Sequence, residues 1–61
     1  MKVGDLVRCK ADRVLGIIVD WYVIYDRFGD PVEKQAVVLW DPNGLPEHEH
    51  TDMLEVINES R

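Results

Sequence analysis

A run of alternating acids and histidines is the most ligand-like stretch of the sequence: Glu47-His48-Glu49-His50. In an extended segment successive side chains alternate between two sides, so both imidazoles would project to one side and both carboxylates to the other. Two imidazoles could share a zinc ion if a third ligand, Asp52 or Asp41, converged on it. The same run is typical of a solvated polar loop in which His48 or His50 donates a hydrogen bond to a backbone carbonyl. We expect the polar loop, no metal and no other cofactor, with His48 and His50 as the only metal candidates.

Cys9 and Asp20 are the other residues whose types could support catalysis. A thiolate nucleophile needs a base beside it, and nothing in the spacing places a histidine near Cys9. We therefore expect Cys9 to act as a small core residue beside Val7. Asp20 interrupts an apolar stretch, where a buried carboxylate could act as an acid or base. An exposed strand position with a Lys or Arg across from it is the more frequent explanation, so we expect no enzymatic activity and no small-molecule substrate.

Length and composition indicate one small folded domain. The chain has 61 residues, and its 46% hydrophobic content argues against disorder. A chain of this size buries only about 60% of its unfolded surface, which leaves little scaffold for a deep enzymatic pocket. The single cysteine excludes an internal disulfide and fits a reducing, cytoplasmic compartment. No apolar run approaches the roughly 18 residues that cross a membrane. We expect one domain over residues 1–58 and a tail at 59–61.

Charge is unevenly distributed along the chain. Acidic and basic residues balance over residues 1–40, so the whole formal charge of −5 lies in residues 41–61. Nucleic-acid binding draws its affinity from Lys and Arg that neutralise phosphates, and an acidic end would repel a duplex or an anionic membrane. The acidic end indicates a basic protein partner or simple solubility. Nucleic acid and membrane are therefore disfavoured as partners.

Four segments have the composition of β-strands, and none forms a helix of usable length. The predicted strands are β-branched, aromatic or alternating: residues 6–10, 17–25, 35–41 and 53–57. Turn residues separate them at 26–31 and 42–44, and residues 47–52 are expected to form a polar connection that ends in a single helical turn at 51–53. Short strands joined in order form a meander that must curl to hide its edges. The sequence predicts an all-β small barrel of four or five antiparallel strands.

Several segments, taken in order, resemble the strands of small SH3-like barrels: Val3-Gly4-Asp5-Leu6-Val7, Leu15-Gly16-Ile17-Ile18-Val19, Val37-Val38-Leu39-Trp40-Asp41 with a turn at Gly44, and Leu54-Glu55-Val56-Ile57. The order is similar to that of the KOW and Tudor groups and of short proteins of tailed bacteriophages, especially phages of cyanobacteria. The resemblance covers residues 2–57 and implies an SH3-like barrel. It also implies a phage accessory protein in the host cytoplasm or the virion. The alternative that it implies is a KOW-like module acting on nucleic acid or on the transcription or translation machinery.

Apolar residues occupy both faces of the second and third predicted strands. Ile17, Val19, Trp21, Val23 and Tyr25 would form one face of the second strand, and Ile18, Tyr22 and Ile24 the other. In the third strand Ala36, Val38 and Trp40 alternate with Val37 and Leu39. We expect the core to hold Trp40, among the most buried residues, with Val7, Val19, Val38 and Leu54 around it.

The second apolar face has no layer of this chain to cover it, unless a strongly bent second strand buries both faces within the barrel. Left uncovered, it would exceed the few hundred Å² that monomers usually tolerate. The preferred interpretation is a non-catalytic protein-binding module that docks on a protein partner or on a second copy of itself. The residues expected to make contact are Tyr22, Ile24, Phe28, Val37 and Leu39.

Overall fold

A computed structural model describes residues 1–58, so the predicted tail at 59–61 lies outside the described residues. The elements are β1 (Leu6–Cys9), β2 (Leu15–Tyr25), β3 (Pro31–Leu39), β4 (Glu47–His50), a 3-10 turn (Thr51–Met53) and β5 (Leu54–Asn58). All strand pairs are antiparallel and form one five-stranded sheet in the order β4-β3-β2-β1-β5. The all-β prediction is confirmed. No helix in residues 1–58 is long and apolar enough to cross a membrane.

The β2–β3 hairpin is the longest unit of the sheet because β2 is rich in β-branched and aromatic residues. Its turn is closed by Asp26, whose carboxylate Oδ1 accepts the backbone N–H groups of Phe28 at 2.8 Å and Asp30 at 3.0 Å. Gly29 adopts a φ of 84°, a backbone conformation that favours glycine. The turn therefore follows from local chemistry that the sequence displays.

Strand β4 was not predicted, because its residues are polar and were assigned to a connection. Glu47–His50 instead pairs with β3 along its whole length, from Val38↔Glu47 to Gln35↔His50. An edge strand needs only backbone hydrogen bonds to its neighbour, and charged side chains on it discourage pairing with other chains. The single helical turn expected after it is confirmed at Thr51–Met53.

A β-bulge in β2 reverses which side chains face the core. Ile18 pairs with Val38, but the next paired residue, Asp20, faces Val37, so Val19 is an extra residue without a partner of its own. Even-numbered side chains face the core before the bulge, and Trp21 faces it afterwards. The assignment of Val19 to the core is therefore wrong, since Val19 is 38% exposed while Ile18 is fully buried.

The core is formed by Val7, Ile18, Ala36, Val38 and Leu54, with Trp21, Trp40 and Val56 packed against it. The core assignments of Val7, Val38 and Leu54 are confirmed. The prediction that Trp40 is among the most buried residues is wrong, because its side chain is only half-buried. Trp40 directly follows the end of β3, so its indole covers the edge of the core and keeps one side open to solvent.

Candidate protein-binding surface

The face of the sheet directed away from the core, here called the outer face, carries a continuous apolar row. Leu6 of β1 pairs with Ile17 of β2, and Ile17 pairs with Leu39 of β3. Paired residues of neighbouring strands project to the same side of a sheet, so these three side chains are neighbours. Ile17 is 46% exposed, and Leu6 and Leu39 are partly exposed.

Four of the five predicted contact residues lie on this outer face. After the bulge, Tyr22 and Ile24 of β2 point to the same side as Val37 and Leu39 of β3, because Asp20 pairs with Val37. Tyr22 is exposed, and the other three are half-exposed. Ile18, which the sequence pattern placed with them, belongs to the core instead.

Phe28 and Asp20 occupy different surroundings from those expected. Phe28 lies in the β2–β3 turn with 77% of its surface exposed, and the guanidinium carbon of Arg27 lies 5.3 Å from its ring centroid. Asp20 is exposed as expected, but it faces Val37 rather than a basic residue. Its carboxylate Oδ1 accepts the backbone N–H of Trp21 at 2.8 Å. Asp20 therefore stabilises the backbone next to the bulge.

His48 and His50 project to the same side of β4, as the alternation predicted, but each has its own partner. The His48 ring stacks on Tyr22 with a centroid separation of 4.5 Å and an interplanar angle of 22°. Nδ1 of His50 lies 2.8 Å from Oε1 of Glu33. No group of three or more potential metal-ligating side chains is present among the described residues. The two histidines thus extend the outer face across β4.

An apolar pocket lies where the row meets the end of β3. Its lining combines the three residues of the row with Leu15, Gly16, Trp40 and Pro42, and its volume is about 220 Å³. Leu15 pairs with Arg8, whose guanidinium Nη2 donates a hydrogen bond of 3.0 Å to Oε2 of Glu55. The apolar pocket therefore has a charged pair at one margin.

A second pocket, here called the acidic pocket, has a volume of about 240 Å³ and is lined by Cys9, Asp12, Val14, Trp40, Glu47 and Glu49. The sequence pattern did not predict this pocket, although the alternation in β4 did place its two glutamates on the opposite side of the strand from the histidines. Cys9 is half-buried and lines this pocket rather than lying in the core. The backbone N–H of Val14, 3.1 Å from Oδ1 of Asp12, and a hydrogen bond from the Cys9 thiol hold the pKa of the Asp12 carboxyl below its ordinary value.

Trp40 is the residue common to the two pockets. Its indole fits against the buried backbone of Gly16, where a side chain would collide with the ring. The arrangement offers an aromatic surface, with aliphatic side chains in one pocket and carboxylates in the other. Comparisons of the chain with protein-family models, with curated proteins and with solved structures found no match.

Proposed function

We propose that the protein is a non-catalytic protein-binding module whose outer sheet face docks on a protein. One observation carries this proposal: the apolar row Leu6–Ile17–Leu39 crosses three strands, and its central residue Ile17 is 46% exposed. Leaving such a row in water is unfavourable by about 25 cal/mol for each Å² of apolar surface. Contiguous exposed apolar patches of this kind mark sites of protein–protein contact.

The extent of the outer face supports the same function. The row continues along β3 to Val37, which pairs with His48 of β4, and His48 stacks on Tyr22, so the outer face reaches from β1 to β4 with the exposed Asp20 beside Val37. An interface of standard size buries about 800 Å² on each partner, with a few large apolar or aromatic side chains at its centre. The predicted contact residues Ile24 and Leu39 lie along this same surface. Phe28 belongs to the proposal as a contact at the turn.

The proposal includes an SH3-like barrel for the fold. Two features support it: β1 pairs with both β2 and β5, and a 3-10 turn leads from β4 into β5. A meander whose last strand returns to the first can close on itself and hide its edges. The resemblance of Val3–Val7 and Leu15–Val19 to phage proteins supports an accessory role in a tailed bacteriophage, in the host cytoplasm or in the virion.

A selection experiment tests the proposed function. A library of displayed random peptides is selected for binding to the immobilised protein. The affinities of the selected peptides for Leu39→Lys and for Leu45→Lys are then compared. Leu45 is 85% exposed and lines neither pocket, so its variant is a matched control. We expect selected peptides to bind Leu45→Lys as they bind the parent, and not to bind Leu39→Lys. A charge at the centre of an apolar interface must lose its hydration without gaining a partner.

Self-association is tested in parallel by sedimentation velocity of the same three proteins. A concentration-dependent dimer that Leu39→Lys abolishes would support binding of a second copy through the outer face. Thermal melts must show that both variants fold. The proposed function is wrong if no peptide binds through this face and the protein sediments as a monomer at every concentration.

A further inference from the structure

The side of β2 that faces away from β3 is covered only along the first part of the strand. There β1 pairs with residues 15–17. The Ile18 carbonyl then accepts the N–H of Gly4 at 2.9 Å, and the Ile18 N–H donates to the carbonyl of Asp5 at 3.1 Å. Beyond Ile18, β3 is the only strand of residues 1–58 that pairs with β2. The second half of β2 therefore has a neighbouring strand on one side only.

The backbone groups of Trp21, Val23 and Tyr25 point to this uncovered side, here called the open edge (Trp21–Tyr25). Asp26 donates its N–H across the hairpin at 2.9 Å, so its backbone faces β3. Backbone groups of an antiparallel strand alternate between its two sides, so those of Tyr25, Val23 and Trp21 face the other way. The Trp21 N–H supports this direction, because it donates to Oδ1 of Asp20 at 2.8 Å.

The open edge lacks the features that usually stop strands from pairing with other chains. Its five residues include no charged residue and no proline, whereas β4, at the other edge of the hairpin, carries Glu47 and Glu49. Beyond the last β3–β4 pair, at Gln35, the hairpin has only two strands, which are marginally stable by themselves. An uncharged aromatic and β-branched edge also promotes aggregation when it is left uncovered. A further strand along the open edge would stabilise the hairpin and remove this hazard.

We propose that the open edge pairs with the open edge of a second copy of the chain, in an antiparallel dimer centred on Val23. The inference goes beyond the proposed function, because it concerns the edge of the sheet and not its outer face. The residues that lie opposite each other across the dimer are Val23 and Val23, Tyr22 and Ile24, and Trp21 and Tyr25. Pairs of aromatic and β-branched side chains are among those that stabilise neighbouring strands.

The symmetry of this pairing satisfies the backbone groups of the open edge and ends the assembly. The Val23 N–H of each copy donates to the Val23 carbonyl of the other, and the Tyr25 N–H donates to the carbonyl of Trp21. The Trp21 N–H keeps its hydrogen bond to Asp20. A twofold contact uses the same edge of both copies, so a third copy cannot be added in the same way. The product is a closed dimer.

The charge distribution permits a second copy at this edge. The open edge carries no charge, and the formal charge of −5 lies in residues 41–61. The dimer would have the strand order β4-β3-β2-β2-β3-β4, which places Glu47 and Glu49 of the two copies at opposite margins. Five strand spacings of about 4.8 Å separate these margins by about 24 Å. Charge repulsion is screened over about 8 Å at physiological salt, so the acidic strands do not oppose the dimer.

Amide hydrogen exchange of the parent protein tests the proposal at concentrations from about 10 μM to about 1 mM. We expect the amides of Val23 and Tyr25 to exchange several-fold more slowly as the concentration rises, because only the dimer bonds them. The amides of Tyr22 and Ile24 face β3 and should be protected at every concentration, so they are the internal control. Sedimentation velocity over the same range should show a monomer–dimer equilibrium. A monomer at every concentration, or an unchanged exchange rate at Val23, would overturn the proposal.

Matched variants assign the dimer to the open edge. Val23→Lys places two like charges opposite each other and should abolish the dimer. Val32→Lys adds the same charge on β3 of the same hairpin, where Val32 is 60% exposed, and should leave the dimer intact. If thermal melts show that Val23→Lys does not fold, Val23→Pro replaces it, because proline removes only an N–H that faces the open edge. Equal dimerisation of the folded Val23 variant and Val32→Lys would overturn the proposal.

The outcomes separate this inference from the proposed function. A dimer that persists in Leu39→Lys and is lost in Val23→Lys supports pairing through the open edge. A dimer that Leu39→Lys abolishes, with no protection of the Val23 amide, would overturn the inference and support the outer face as the interface. Selected peptides that protect the Val23 amide of a monomeric protein would overturn it in favour of another extended segment. If the edge dimer forms and nothing binds through the outer face, the inference stands and docking of the outer face fails.

Discussion

Gly16 and Trp40 are in direct contact at the edge of the core, and the absence of a side chain on Gly16 makes that contact possible. A methyl group on Gly16 would lie 2.6 Å from Cε3 of Trp40 and 2.7 Å from Cγ1 of Val38. Both distances are shorter than carbon atoms tolerate. Trp40 also lines the apolar and acidic pockets, so its contact with Gly16 determines the position of the indole in both pockets.

Gly16→Ala should therefore destabilise the fold by about 1–3 kcal/mol, the usual cost of forcing an extra methyl group into an occupied space. The whole chain has roughly 3–9 kcal/mol of stability at 0.05–0.15 kcal/mol per residue, so the effect is large. Gly44→Ala is the matched control, since its new methyl group would meet Asp41 at an ordinary 3.4 Å. Urea unfolding of both variants provides the measurement. Equal midpoints for Gly16→Ala and the parent would show that Trp40 is free to move.

The bulge at Val19 makes opposite predictions for two adjacent isoleucines. Ile18→Ala should cost about 2–5 kcal/mol because Ile18 is fully buried, whereas Ile17→Ala should cost much less because Ile17 lies on the outer face. The two substitutions remove the same atoms, so each is the control for the other. Chemical denaturation measures the difference. A larger loss for Ile17→Ala would mean that even- and odd-numbered side chains are assigned to the wrong faces.

Zinc should not stabilise the protein. A ligand that binds only the folded state raises the melting temperature by mass action. His48 is stacked on Tyr22, and His50 lies beside Glu33, so the two imidazoles do not form a site with a third ligand. Thermal melts with and without zinc, repeated on His50→Ala, are the measurement. A rise that zinc produces in the parent and that His50→Ala removes would establish a metal site instead.

The lowered pKa of Asp12 predicts a small acid-dependent loss of stability. A carboxyl whose folded pKa is depressed stabilises the fold above its unfolded pKa, near 3.8, and this contribution is lost as the pH falls through the lower folded value. The melting temperatures of the parent and Asp12→Ala should therefore converge below about pH 3.8. Asp30→Ala is the control. A carboxyl titration by NMR that places the Asp12 pKa above 3.8 would contradict the hydrogen bonds from Val14 and Cys9.

Much of the fold could be predicted from local composition, but the faces of β2 could not. β-Branched and aromatic residues reveal β2 and β3, and turn residues reveal the connection at Asp26–Asp30. The bulge depends on the register with β3, which no local pattern in β2 displays. A single extra residue exchanges the two faces, so Val19 and Ile18 were assigned wrongly.

The candidate site was predictable only where it follows alternation. Val37 and Leu39 alternate with buried residues of β3, so their common face could be read from the sequence. The pockets depend on the indole of Trp40 lying against Gly16, and on β4 being a strand rather than a loop. Those contacts join distant parts of the chain, so the sequence pattern alone does not reveal them.

Chemical-shift mapping of the protein with its tightest selected peptide tests the central claim most directly. If the outer face is the docking surface, the largest amide shifts will lie at Leu6, Ile17, Val37 and Leu39. They will disappear in Leu39→Lys and persist in Leu45→Lys. Shifts confined to the Asp26–Asp30 turn or to the free edge of β5, with Leu39→Lys binding as tightly as the parent, would contradict the account.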